Sequence, residues 1–74
     1  MIQEQLTKFR ENFQGRKVWV DDDCLSYTCP RGKSYYWAKE ANELIEKLEL
    51  PLVAIPVRTL WNNVFVVKSA EVEL

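Results

Sequence analysis

Between Pro30 and Pro51 lies the longest stretch of the 74-residue chain that no proline interrupts and that repeats at the helical period, and it limits the fold more tightly than any other feature. Trp37, Ala38, Ala41, Leu44, Ile45 and Leu48 all fall on one stripe of a 3.6-residue wheel. Ser34 offers an N-cap oxygen and Pro51 enforces a stop, so a helix is predicted from Ser34 to about Glu49. Glu43 and Lys47 add a favourable i, i+4 pair on its solvent side. Tyr35, Tyr36 and Lys39 point away from the stripe.

A second stripe opens the chain, where Ile2, Leu6, Phe9 and Phe13 recur at helical spacing and Gly15 sits where a left-handed C-terminal cap falls. The period then changes to two. Lys17 to Asp21 and Cys24 to Cys29 read as strands around an acidic turn. A two-residue loop at Asp22-Asp23 pairs Val20 with Leu25 and Val18 with Tyr27, leaving Trp19 and Ser26 on the opposite face. Asp-Asp is less usual there than Asn-Gly, so a longer loop is the alternative.

Leu52 to Val57 is β-branched but contains Pro56, which predicts an edge strand or a bulge. Asn62-Asn63 reads as a tight turn because asparagine tolerates positive φ, and Val64 to Lys68 is a strong strand that Glu71 to Leu74 either extends or frays from. The order is α-β-β-α-β-β. It predicts a single α+β domain over residues 1–74: a small four-stranded, mainly antiparallel sheet with the central helix packed on one face and the N-terminal helix beside it. If the strands flanking the central helix are parallel, their connection is right-handed.

Hydrophobic residues make up 47 percent of the chain and charged residues 28 percent, so a folded domain is expected. No run approaches the roughly 20 apolar residues that span a bilayer, and the N-terminus lacks the order of a secretory signal. A cytoplasmic protein without membrane contact is the expectation. Cys24 and Cys29 lie on an extended segment about 16 Å apart, beyond the roughly 7 Å that a disulfide spans, which predicts two free thiols. The chain has no histidine, which removes the usual general base near neutral pH and the commonest nitrogen ligand for zinc. No metal, cofactor or catalytic residue is predicted.

Tyr27 to Ser34, read as YTCPRGKS, stops one residue short of a phosphate-binding loop. Gly32, Lys33 and Ser34 match that pattern, but Tyr27 stands where its first glycine belongs and Pro30 removes an amide from the cradle. A plain strand-to-helix turn is the better reading, with generic weak anion affinity at the helix N-terminus. Asp21, Asp22 and Asp23 read as a solvated turn rather than a cation site. Near Cys24 the same aspartates hold thiol reactivity down.

Net charge is −1, but the charge is blocky: Arg31, Lys33 and Lys39 are the only charges from 30 to 39, with acidic stretches on either side. Arg31, Lys33, Tyr35, Tyr36 and Lys39 interleave cations with rings, and Arg58 with Trp61 adds to them from the second hairpin. Aromatic and arginine side chains are the commonest anchors of protein interfaces. These residues therefore predict a small non-enzymatic domain that binds another protein, by analogy as a regulator or inhibitor. The alternative is a single-stranded nucleic-acid-binding module using the same patch, which the weak overall charge disfavours. Homodimerisation is a further possibility, through the Pro56 edge or through an open sheet face carrying Trp19.

Overall fold

A computed structural model describes residues 2–13, 18–21 and 23–70. The elements are α1 (Ile2–Asn12), β1 (Val18–Val20), β2 (Cys24–Thr28), α2 (Ser34–Lys47), β3 (Leu52–Val57) and β4 (Val64–Ser69). The expected cap at Gly15, Asp22 in the acidic turn and the segment 71–74 lie outside the described residues. No helix among the described residues is long and apolar enough to cross a membrane.

The first hairpin has the expected register, Val18 with Tyr27 and Val20 with Leu25, and the Asp21 N–H donates to the Cys24 carbonyl at 2.9 Å. The sheet order is β1-β2-β4-β3, and every neighbouring pair is antiparallel. Because β2 and β3 both run antiparallel to β4, they are parallel to each other, with β4 inserted between them. Pro56 takes its place in an unbulged edge strand opposite Phe65, where its missing N–H costs no ladder bond.

Both helices use the same sheet face. From α2, Ala38, Ala41 and Ile45 are buried, with Trp37 and Leu44 half-buried against the core. Small residues on the stripe let the helix lie close over the β3–β4 side of the sheet, which contributes Leu52, Ala54 and Val67 to the core. From α1, Leu6 and Phe9 are buried, and Phe13 fills the seam between helices and sheet. Its ring lies edge-on to Tyr27 at 5.1 Å, to Phe65 at 5.8 Å and to Trp37 at 6.4 Å, while Tyr27 and Phe65 stack at 5.1 Å. Five rings, counting Phe9, thus tie α1, α2, β2 and β4 together. The Tyr27 hydroxyl sits in this cluster with no hydrogen-bond partner among the described residues.

Helix α2 differs from expectation at both ends. Its N-cap is Lys33, with no side-chain cap, and Ser34 is the first helical residue and buried. Ser34 was the expected cap, but its N–H donates to the Asn62 carbonyl at 3.1 Å, which draws it down against the β3–β4 loop. The helix ends at Lys47, two residues early. Glu49 takes φ 55°, its N–H donates to the Glu46 carbonyl and the Leu50 N–H to the Ile45 carbonyl, the paired bonds of a Schellman motif. The half-buried Leu50 then seats on the core and Pro51 leads into β3.

The second hairpin is also looser than expected. Register Val57 with Val64 leaves a six-residue loop, 58–63, in place of a tight Asn62-Asn63 turn. Only Asn62 adopts positive φ, 47°, and its N–H closes a turn on the Thr59 carbonyl. At the opposite, outer edge of β3, Asn42 of α2 forms a clasp. Its Nδ2 donates to the Ala54 carbonyl at 2.9 Å, and its Oδ1 accepts from the Ala54 N–H at 2.8 Å. The outward backbone groups of a buried edge residue are thereby satisfied by a side chain.

Candidate functional site

The loop before α2 and the loop after β3 are laced by backbone bonds, and this lacing assembles the surface. Beyond the last β2–β4 pair, the Cys29 N–H donates to the Asn63 carbonyl at 2.8 Å and the Gly32 N–H to the Trp61 carbonyl at 2.9 Å. Pro30 to Lys33 is a turn closed by the Lys33 N–H on the Pro30 carbonyl, with Gly32 at φ 77° in the third position. Type II turns require that left-handed residue, and glycine takes it at no steric cost. Arg31 is projected outward as the second turn residue.

The amides of Gly32, Lys33 and Ser34, which would make an anion cradle at the helix start, are all donated within the fold. Three donors of the would-be phosphate cradle are therefore taken, and the phosphate-loop resemblance is a turn.

Six of the predicted residues lie around this junction, and the seventh, Lys39, lies beyond Tyr35 along α2. The Arg31 guanidinium lies 4.2 Å from the centre of the Trp61 ring, and the Lys33 ammonium 5.4 Å from that of Tyr36. Such contacts hold long cations in place above a ring face. Tyr35 and Tyr36 meet edge to face at 5.9 Å, yet remain 66% and 61% exposed. Trp61 is 46% exposed even under Arg31.

Two shallow grooves flank Tyr35 and share Pro56. One, of about 310 Å³, is lined by Gly32, Ser34, Tyr35, Val57, Arg58 and Asn62, and it contains no acid. The other, of about 260 Å³, pairs Lys39 with Glu43 and Glu46. The surface is thus basic on the Arg58 side and mixed on the Lys39 side. Sequence reading missed Leu60, which at 84% is the most exposed of the large apolar residues described and adjoins Trp61 in the loop. No periodicity marks a residue in an irregular loop, so only the folded loop shows it beside the patch.

Elsewhere, both cysteines are free, as predicted. The Cys24 thiol points at Asp21, 3.6 Å from Oδ2, and its pKa is raised by partial burial first and by Asp21 and Asp23 second. Burial alone raises that of Cys29, which belongs to the core. Asp21 and Asp23 are exposed, and the described residues hold no group of three His, Cys, Asp or Glu that could hold a metal ion. Comparison with protein-family models, characterised proteins and solved structures gives no match to this chain.

Proposed function

We propose that the chain is a non-enzymatic protein-binding domain whose partner presents an acidic, apolar segment to the Arg31–Trp61–Tyr36 surface. One observation carries this reading: three aromatic side chains stay in water on a domain of 74 residues while two cations are held over their rings. Leaving large apolar area exposed on so small a chain forgoes stability, and rings with few rotatable bonds recover it as contact area on binding. The acid-free groove of Arg58 supports a partner of acidic character. A regulator or inhibitor that masks another protein's surface fits such a domain.

The nucleic-acid reading is weaker. Arg31 already covers one face of Trp61, and a net charge of −1 with acids lining the Lys39 groove is poorly suited to phosphate contacts.

Selection of a displayed random-peptide library against the wild type and Tyr36→Ala tests the proposal. Acidic segments with aromatic or aliphatic anchors should be enriched on the wild type. Their affinity for the variant should fall by about 2 kcal/mol, roughly 30-fold, with stability changed by under about 0.5 kcal/mol. Selection without acidic preference refutes the reading. So does tight binding of a single-stranded oligonucleotide that weakens steeply with salt, which would establish the alternative.

A further inference from the structure

We propose that the uncovered face of the sheet is a contact surface between two copies of this chain, packed face to face about a two-fold axis that runs along the strands. Both helices lie on one side, so the other side shows the alternate residues of all four strands. The pairing sets them in rows. Trp19, Ser26, Val66 and Ile55 cross the middle of the sheet; Thr28, Val64 and Val57 form the row toward the loop end. Cys24, Lys68 and Val53 form the third row, which Asp21 continues at the β1 side through its bond to Cys24. Trp19 is 68% exposed and Ile55 is also exposed. A surface this apolar, carrying one acid and one base among the described residues, is unusual for a sheet that faces water, where polar residues normally alternate outward.

The two charges select the second copy as the occupant and fix its orientation. No ion pair joins Lys68 to another described residue. A two-fold along the strands exchanges β1 with β3 and β2 with β4, so Trp19 lies over Ile55 of the second copy and Ser26 over its Val66. Cys24 and Lys68 then face each other, and Lys68 has the other copy's Asp21 one strand away, about 4.8 Å to the side, across sheets roughly 10 Å apart. A lysine stem covers that offset. The symmetry makes the pair twice, and both pairs sit at the rim, where the ends remain wetted. With the axis turned across the strands, Lys68 would instead rest on Val64 of the second copy with no acid among the described residues in reach, an uncompensated charge on an apolar surface.

Area sets the strength. Four strands at about 4.8 Å by five residues at about 3.4 Å, roughened by Trp19, give roughly 400–500 Å² per copy, or about 900 Å² in the pair. Stable dimers bury about 1,200–2,000 Å², so this association is weak and concentration-dependent. The ends of the strands are preserved by the axis, so both Tyr36–Trp61 surfaces emerge at the same end of the dimer, an arrangement suited to bivalent binding.

Sedimentation equilibrium over roughly 10 µM to 1 mM tests the proposal on the wild type, Trp19→Ser, Ile55→Thr, Lys68→Asp, Asp21→Lys and the double swap Lys68→Asp with Asp21→Lys. Reversible dimerisation of the wild type is expected. Both apolar variants and both single charge reversals should lower the association constant by about tenfold or more, and the double swap should restore most of it. Circular dichroism confirms that each variant is folded, and Ile55→Thr stands in if Trp19→Ser is not. A wild type that stays monomeric to about 1 mM overturns the proposal and assigns the face to a different covering. So does a double swap that associates no better than its single parents.

Discussion

Truncating Asn42 to alanine is expected to cost about 2–3 kcal/mol, a large loss for a half-buried polar residue. The figure follows from the clasp. Two bonds, at 2.9 and 2.8 Å, each contribute a net of about 1 kcal/mol, and breaking them leaves the N–H and carbonyl of Ala54, a buried residue, without their side-chain partner. A folded chain of 74 residues has a total stability of roughly 4–11 kcal/mol, so about a fifth to three quarters of it is at stake. The melting temperature should fall by about 8–24 °C, and the urea midpoint should move without a change in slope. Glu43→Ala, at the exposed neighbouring position, is the control and should stay within about 0.5 kcal/mol of the wild type. Asn42→Asp refines the test. Its carboxylate still accepts from the Ala54 N–H but opposes the Ala54 carbonyl, which raises the folded-state pKa above its unfolded value. The variant should therefore be most stable below the unfolded carboxyl pKa and lose stability as pH rises through the folded one. If Asn42→Ala lies within about 0.5 kcal/mol of the wild type, water replaces both bonds and the clasp is not what closes this edge.

Two further outcomes concern the buried phenol and the half-buried thiol. Burial pushes the Tyr27 hydroxyl up to about 12 from its ordinary 10.0, against a smaller lowering by Arg10, so the unfolded chain ionises first and stability falls as pH rises through that window. Tyr27→Phe removes an unpartnered buried hydroxyl and should be neutral or stabilising by up to about 1 kcal/mol near neutral pH, with a wider advantage in urea midpoints at about pH 11; a loss above about 1 kcal/mol would reveal a hydroxyl partner. Cys24 should react with iodoacetamide more slowly than a free thiol at mildly alkaline pH, and Asp21→Asn should speed it; equal rates in variant and wild type would remove Asp21 as a cause.

Periodicity alone located both helices, the first hairpin and its register, because each depends on neighbours in sequence and on a sharp change from period 3.6 to period 2. The exposure of Tyr35 and Tyr36 was legible for the same reason: the phase of a helix fixes which side chains turn from its apolar stripe. The cap and the second turn were not. Ser34 and Asn62 have the right local chemistry, but a bond between the two loops moved one into the helix and lengthened the other's turn to six residues. A local rule yields where a backbone group finds a partner distant in sequence.

What the sequence determined by itself was therefore the set of elements and the face each one buries, since these follow from the order of apolar and polar residues along the chain. Tertiary structure alone decided that β4 would sit between β2 and β3, that Arg31 would rest on Trp61 across two loops, and that Asn42 would close the Ala54 edge. It also decided that Trp19 and Ile55 would share a row on an uncovered sheet. Each of these joins residues far apart in the chain, and their meeting is set by which strands pair and where the helices pack, quantities that no single stretch of residues contains.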